Sequence, residues 1–282
     1  MAKASTAVTT APKNEVAASA MPSFMEEYVG LGTEAISNTS VEIPRIKLIQ
    51  AISPELDTYN NLKAGDFFHT ILEESLGPKL RICPIWTDER YILWRPQETG
   101  GGILARAEDG IHWSPPDATF NVKLKSGKDV VWKTARTVAA SGLDRWGSSD
   151  PDNTDSPPAA TKMFNMVVTF PDQPDLPPAV ITLQRSSVTV GKKFMGKLKI
   201  NRTPSFGLIF VMQGVTDTNK AGQKFLNYQF TGDGMVTDEG LFRNNLEYYK
   251  LFKAQGLAIR DEESLQQEDN EGSTDSGKGP AF

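Results

Sequence analysis

Short apolar runs separated by turn residues dominate the chain from residue 62 to residue 184. The segments KAGDFFHTIL, KLRICPIW and ERYILWRP are apolar or alternating, and Gly, Pro or acidic pairs bound each of them. Such runs, rich in Ile, Phe, Tyr and Trp, are typical of β-strands joined by turns. Ser126-Gly127-Lys128 separates NVKLK from DVVWKTA as a hairpin turn would, and Asp109-Gly110 predicts a tight turn. MFNMVVTF and AVITLQ are predicted to pair as antiparallel strands.

The C-terminal third predicts two helices and two further strands. In SSVTVGKKFMGKLKI, Val190, Phe194 and Leu198 recur about once per helical turn, with lysines around them. SFGLIFVMQGV and KFLNYQFTG follow as strands. A last helix is predicted to begin at Thr237 as N-cap and to end at Gly256. Its apolar face is predicted to hold Phe242, Leu246, Tyr249 and Phe252.

These elements predict one folded domain between two disordered segments. Residues 1–40 are predicted to be mostly disordered, because residues 1–20 hold no Leu, Ile or aromatic side chain with which to form a core. Residues 41–260 are predicted to form a mainly β (α+β) domain, an OB-like β-barrel core with insertions, one basic helix and one C-terminal helix. Residues 261–282 are predicted to be a disordered acidic tail.

The chain offers little catalytic or metal-binding chemistry. Its single cysteine, Cys83, excludes an internal disulfide and a zinc site of several thiolates. His69 and His112 lie far apart and in none of the metal-binding motifs, and the nucleophile-elbow, phosphate-loop and dinucleotide motifs do not occur. We therefore expect a binding protein with no metal or cofactor rather than an enzyme. A metal- or nucleotide-dependent enzyme is the third alternative.

Charge is distributed unevenly along the chain. The net charge of −5 alone argues against a nucleic-acid partner, but residues 261–282 hold seven acids and one lysine, a net charge of −6. This leaves about +1 for residues 1–260. The sequence has no run of 18 apolar residues and no secretory leader, so we expect a cytoplasmic protein without a membrane partner.

Aromatic residues and cations alternate in two of the predicted strand regions. Single-stranded nucleic acid is held by bases that stack on aromatic faces while Lys and Arg follow the phosphates. Because residues two apart on a strand share a face, Trp132, Thr134 and Arg136 are predicted to present one surface. In the alternative interpretation the tryptophans belong to the core. The predicted DNA-binding residues are Arg90, Trp94, Arg95, Lys123, Lys125, Trp132, Lys133 and Arg136.

The predicted basic helix and its flanks carry six cations and no acid. These side chains are predicted to neutralise phosphates, which gives an affinity that falls steeply with salt. In the alternative interpretation they form only a solvated face. The six predicted DNA-binding residues are Arg185, Lys192, Lys193, Lys197, Lys199 and Arg202.

The acidic tail closes on an aromatic residue, Phe282. In this it resembles the tails of bacterial single-stranded DNA-binding proteins and their acidic-tailed bacteriophage counterparts. The resemblance implies an OB-type core, a tip that binds replication proteins (a polymerase, helicase or primase), and an acidic stretch that competes with DNA. Lys278 and the ending Gly279-Pro280-Ala281-Phe282 depart from the bacterial Asp-Asp-Ile-Pro-Phe pattern, so the partner of Phe282 stays open.

Residues 42–113 are similar to a family of bacteriophage replication-module proteins. The similarity runs through IPRIKLIQAISPEL, KAGDFFHTI, YILWRPQETGGGILARAEDG and Trp113. It implies a phage replication protein. Mainly through the resemblance of the tail, we expect it to bind single-stranded DNA without sequence specificity in replication or recombination in the host cytoplasm, and a homo-oligomer is left open. The alternative is a phage structural or assembly protein, or an adaptor, with the same β core and no ligand groove.

Overall fold

The computed structural model describes Phe24 and residues 43–96, 100–218 and 222–255. Phe282 and nearly all of both termini that were predicted to be disordered lie outside these residues. Within them, no helix is both long and apolar enough to span a bilayer. The elements are β1 (Ile46–Leu48), α1 (Glu55–Thr58), β2 (Phe67–His69), β3 (Glu74–Gly77), β4 (Lys79–Trp94), β5 (Ile103–Ala107), β6 (Thr119–Lys123), β7 (Asp129–Lys133), α2 (Val138–Ser141), β8 (Ala160–Thr169), β9 (Ala179–Gln184), α3 (Val188–Ile200), β10 (Leu208–Thr218), β11 (Lys224–Met235) and α4 (Glu239–Gln255).

Strand β4 organises the largest sheet, whose order is β11–β10–β4–β8–β9 with β5 paired to the far end of β4. One edge of β4 pairs with β8 from Cys83 to Leu93. The other edge pairs with β10 over residues 79–82 and with β5 over residues 91–94. Among the described strands, only β8 pairs with the stretch of β4 between these two partners. We call this interruption the β4 gap.

The segments KLRICPIW and ERYILWRP form one 16-residue strand rather than the two that were predicted. Asp88 and Glu89 do not end the strand, because each carboxylate is paired, with Arg90 and with Lys162 respectively. Pro84 does not end the strand either, but it disturbs the pairing with β8. A proline has no N–H to donate to a neighbouring strand, and the β4–β8 register shifts between Pro84 and Trp86.

Two smaller sheets accompany the large one, and the mainly β class is confirmed. Strands β1, β2 and β3 form a three-stranded sheet, and β6 and β7 form the predicted hairpin. One parallel bridge, Arg45 to Val180, connects the small sheet to β9. On the other side the Gln50 side chain hydrogen-bonds the backbone of Leu226, at 2.9 and 3.0 Å. A barrel requires a continuous ladder at both seams, so the predicted OB-like barrel is wrong for the described strands.

Apolar clusters on opposite faces of the large sheet hold the two long helices in place. Helix α3 buries Phe194 against Phe210 and Phe230, with ring centroids 4.8 and 4.2 Å apart. On the other face α4 packs over Cys83, Ile85 and the 3₁₀ turn Ser205–Gly207. Because side chains alternate between the faces of a strand, neighbouring residues of β8 and β9 feed one cluster or the other.

Two glycines of α3 give a matched test of this packing. Gly191→Ala is expected to destabilise the protein by about 1–3 kcal/mol, because the added Cβ would lie 2.7 Å from Cδ2 of Phe164. Gly196→Ala is the control, because its Cβ would meet open space and Ala favours a helix over Gly by roughly 1 kcal/mol. Urea denaturation should show opposite signs; a loss at both positions would contradict this orientation of α3.

Candidate nucleic-acid interface

A groove of about 590 Å³ opens at the β4 gap, between α3 and α4. Helix α3 lines it with Lys192, Gly196 and Lys199, and α4 lines it with Tyr249. Residues 85–89 of β4 and two residues of β8 complete the wall. Helices α3 and α4 pack on opposite faces of the sheet. At the β4 gap, side chains of both helices nevertheless border the same cavity. We call it the α3–α4 groove.

Two aromatic side chains form one wall of the α3–α4 groove. The rings of Trp86 and Tyr249 lie 6.0 Å apart at 52°, and both side chains are partly exposed. Trp86 follows the bulge at Pro84, which turns this part of the strand. Tyr249 also contacts Phe206, with ring centroids 5.3 Å apart. The contact with Phe206 therefore supports the Tyr249 ring from inside the protein, and the two rings of the wall stay partly exposed to solvent.

Helix α4 is anchored so that Tyr249 lies beside Trp86 in this wall. Asn245, one turn earlier, is fully buried; it accepts a hydrogen bond from Thr169 at 2.8 Å and donates one to the carbonyl of Phe206 at 3.0 Å. Residues four apart lie on the same helix face, so this anchor also orients Tyr249. The helix begins one residue later than predicted, since the Asp238 side chain, rather than Thr237, accepts from the Leu241 N–H at 2.6 Å.

The two acids that line the groove are neutralised within the chain. Glu89 pairs with Lys162 at 2.6 Å, and Asp88 pairs with Arg90 at 2.8 Å. Burial disfavours the charged form of Lys162, but hydrogen bonds and charge from Glu89 and Tyr91 outweigh it and raise the pKa of this lysine.

The cations of α3 are not offset in this way. In the part of the chain that the structure describes, Lys192 and Lys199 are exposed and form no ion pair. Because the two acids are already compensated, these lysines give the groove a positive balance.

The four predicted lysines of α3 divide between its two flanks. Lys192 and Lys199 line the α3–α4 groove, whereas Lys193 and Lys197 line a smaller cavity on the opposite flank. This division follows from helix geometry, because consecutive residues such as Lys192 and Lys193 point about 100° apart. The two predicted arginines at the ends of the basic segment are exposed but line neither cavity: Arg185 and Arg202.

Two of the predicted DNA-binding residues are buried, which corrects their assignment. Arg90 is 6% exposed and its guanidinium binds Asp88. Trp132 is 4% exposed, and its indole N–H donates to the carbonyl of Ser149 at 3.3 Å. The shared face of Trp132 and Thr134 was identified correctly, but it points inward. With that face the β6–β7 hairpin covers a further apolar cluster, which includes Leu93 and Trp113. Neither residue presents a surface to a base.

The remaining predicted residues are accessible but lie outside the groove. Trp94 is partly exposed and lines a separate cavity of about 370 Å³ with Arg45, Lys47 and Tyr228. The others are exposed, Arg95 directly after β4 and the rest on β6, β7 and adjoining loops, and none of them lines the α3–α4 groove: Arg95, Lys123, Lys125, Lys133 and Arg136.

Three residues of the groove were not predicted to bind DNA. Trp86 was absent from the predicted DNA-binding residues, Tyr249 was assigned only to an apolar helix face, and Lys162 was assigned no role. The signal for Trp86 was Pro84, which predicts a break in strand pairing. For Tyr249 and Lys162 there was no local signal, because their roles depend on contacts with β4.

The structure also places the cysteine and one histidine that the sequence analysis considered. Cys83 is buried, and burial raises the pKa of its thiol to about 11. His69 is buried as well, which lowers its pKa. The described residues contain no cluster of three or more side chains suited to a metal ion.

The chain is thus a mainly β protein with a cationic groove that has an aromatic wall. A comparison with protein families matches residues 13–258 to the Pam3 phage gp34-like protein family. The match covers most of the chain, so the protein belongs to this bacteriophage family. Searches among curated proteins and among solved structures gave no match.

Arg90→Met is expected to destabilise the protein by about 3–5 kcal/mol at neutral pH, because it leaves a buried carboxylate without its cation. Burial already raises the pKa of Asp88, although Arg90 and Asn165 oppose the shift. Without Arg90 that pKa rises further, so acid protonates Asp88 and relieves the penalty. The loss in free energy of unfolding should therefore be smaller at about pH 5 than at neutral pH.

Arg95→Met is the control for this prediction. Arg95 is an exposed arginine five residues along the same segment, and its loss should change the free energy of unfolding by less than about 0.5 kcal/mol. Urea denaturation of both variants at the two pH values gives the comparison. If Arg90→Met loses the same amount at both, the loss is one of packing and not of charge compensation.

Proposed function

We propose that the protein binds single-stranded DNA, without sequence specificity, during phage replication or recombination in the host cytoplasm. The observation that carries the proposal is the α3–α4 groove, in which Trp86 and Tyr249 face two lysines without ion pairs among the described residues. Membership of a phage family agrees with this role.

The two walls of the groove suit the two parts of a nucleotide. A base that stacks on an aromatic face gains about 1–3 kcal/mol. Lys192 and Lys199 are seven residues apart on α3, roughly 10 Å along its axis, and would each neutralise a phosphate. A base in a duplex already stacks on its neighbours, so the wall formed by Trp86 favours an unpaired strand.

The groove also favours binding without sequence specificity. Base recognition requires donors and acceptors that can reach base edges. The two carboxylates of the groove, Asp88 and Glu89, are already engaged by Arg90 and Lys162. Apart from the hydroxyls of Thr87, Ser205 and Tyr249, the groove offers stacking and phosphate contacts, and neither of these depends on the base.

The tail completes the proposal, although it lies outside the described residues. Residues 261–282, with a net charge of −6, would compete with DNA for the lysines of α3. Phe282 would bind a replication protein, such as a polymerase, helicase or primase, as the resemblance implies.

Trp86→Phe is expected to remove most of the quenching of tryptophan fluorescence that poly(dT) causes in the wild-type protein. Stacking quenches the indole directly, whereas Phe still offers a face to the base, so affinity measured by anisotropy of a labelled oligonucleotide should change little. Trp86 is the only tryptophan that lines the described groove, so its emission should carry the signal.

Trp146→Phe is the matched control. Trp146 is 64% exposed and does not line the α3–α4 groove, so its loss should leave the quenching in place. Quenching that survives Trp86→Phe would exclude this groove as the stacking site. If poly(dT) does not bind the wild-type protein at all, the structural or adaptor role becomes the better interpretation.

Deletion of residues 261–282 is expected to tighten binding of poly(dT) at low salt, because a segment of charge −6 no longer competes for the lysines. The gain should vanish at high salt, where screening weakens both interactions. A tail of the same length with its acids replaced by Gln and Ser is the control and should behave like the deletion. Equal affinity of full-length and truncated protein would contradict competition by the tail.

A further inference from the structure

The C-terminal tail consists of two segments of different charge. Residues 261–271 carry six of its seven acids and no cation, a net charge of −6. Residues 272–282 carry one acid, Asp275, and one lysine, Lys278, so their side-chain charges cancel. We call these two parts the acidic segment and the neutral tip. Phe282 belongs to the neutral tip, so the charge that would compete with DNA and the ring that would bind a partner lie in different parts of the tail.

The acidic segment begins close to the α3–α4 groove. Helix α4 places Tyr249 in the wall of the groove and ends at Gln255, six residues or about 9 Å further along its axis. Residues 256–260 then lead to Asp261, and these six residue steps span at most about 20 Å. Whatever path residues 256–260 take, the acidic segment is tethered next to the groove of its own chain.

A third lysine lies between the end of α4 and the groove. Lys253 follows Tyr249 by one helical turn, and its ammonium lies 5.6 Å from the centre of the Tyr249 ring. It is exposed and forms no ion pair within the part of the chain that the structure describes. Together with Lys192 and Lys199, it gives the groove and its border on α4 three positive charges that no described acid neutralises.

Tether length favours the acidic segment over the neutral tip as a ligand for these lysines. For a tail without a fold, which the composition predicts, the effective concentration at a nearby site falls roughly as the −3/2 power of tether length. Ser264, in the acidic segment, lies nine residues beyond Gln255, and Ser276, in the neutral tip, lies 21 residues beyond it. The effective concentration of Ser264 at the groove is therefore higher by about three- to fourfold. Charge adds to this difference, because the neutral tip has no net charge for the lysines to attract.

We propose that, in the absence of DNA, the acidic segment of the same chain occupies the α3–α4 groove and binds Lys192, Lys199 and Lys253, while the neutral tip stays outside. This inference rests on the proposed function and names the part of the tail that regulates it. Single-stranded DNA that enters the groove displaces the acidic segment, whereas Phe282 is available to a partner in both states. Inhibition of DNA binding and recruitment of a partner are therefore separate properties of one tail.

A fluorescent label reports the position of the acidic segment without DNA. Cys83 is buried, and burial raises the pKa of its thiol to about 11, so Ser264→Cys can be labelled selectively with bimane, a fluorophore that tryptophan quenches on contact. The label at residue 264 should be quenched in the full-length protein. The quenching should be lost in a Trp86→Phe background, and also at high salt, where the lysines are screened.

Ser276→Cys, labelled in the same way, is the matched control and should not be quenched, because it lies in the neutral tip. Dilution tests whether the contact lies within one chain. Quenching of the label at residue 264 should be independent of protein concentration; a decrease on dilution would mean that the acidic segment occupies the groove of another copy, and would overturn the inference as stated.

Variants of the tail separate its two parts by their effect on DNA affinity. Replacing the six acids of the acidic segment by Asn and Gln should tighten binding of poly(dT) at low salt as much as deletion of residues 261–282 does. Deletion of residues 272–282 alone should leave the affinity unchanged, although it removes Phe282. Urea denaturation confirms beforehand that each variant is folded.

Lys253→Ala distinguishes a lysine that binds the tail from one that only attracts DNA. Lys253 does not itself line the groove, so its loss should raise the affinity of the full-length protein for poly(dT) by roughly two- to fivefold, the scale of one exposed ion pair. The same substitution should have no effect in the protein that lacks residues 261–282. Lys224→Ala removes the same charge from an exposed position outside the groove and should not raise the affinity in either protein.

The outcomes separate this inference from the function on which it rests. Quenching at residue 264 but not at residue 276, together with tighter DNA binding after neutralisation of the acidic segment alone, supports the inference. Equal quenching at both positions, tighter binding after deletion of the neutral tip, or a lower affinity of full-length Lys253→Ala overturns it while single-strand binding stands. If the wild-type protein and the protein without residues 261–282 both fail to bind poly(dT), the proposed function itself fails.

Discussion

The antiparallel pairing of β4 with β8 holds the large sheet and its apolar clusters together. It runs from Cys83 to Leu93 and spans the junction between the clusters under α3, under α4 and under the β6–β7 hairpin. Along its opposite edge β4 serves two different partners in succession, β10 and then β5. Because no described strand occupies the interval between them, the sheet is interrupted at its centre without losing its continuity on the β8 side.

This interruption explains how helices on opposite faces of a sheet can line one groove. A continuous sheet would keep the side chains of α3 and α4 apart. At the β4 gap Lys192 and Lys199 approach from one face and Tyr249 from the other. The bulge beside Pro84 places Trp86 at the same point. The candidate site is therefore a consequence of sheet topology and not of a local motif.

The ion pairs of the groove show why charge has to be counted after folding. Asp88 and Glu89 line the groove, and in sequence they would seem to weaken any site for a polyanion. In the structure Arg90 and Lys162 compensate them. Arg90 alternates with aromatic residues in the sequence and was therefore predicted to bind DNA. In the structure it is buried and compensates the charge of Asp88. The positive balance of the groove comes from Lys192 and Lys199 of α3, a helix that contains no acidic residue.

Local patterns in the sequence were sufficient to predict the mainly β class and several elements: the β6–β7 hairpin, the β8–β9 pair, and α3 with Phe194 inward. Each of these depends on periodicity or turn chemistry within a few residues. Long-range contacts determine the rest: β4 is one strand, the described strands close no barrel, and Trp132 is buried whereas Trp86 borders a groove. Those outcomes depend on partners far away in sequence, such as Tyr249 for Trp86 and Lys162 for Glu89. Burial of an indole is set by what packs over it, and a strand's own residues do not specify that.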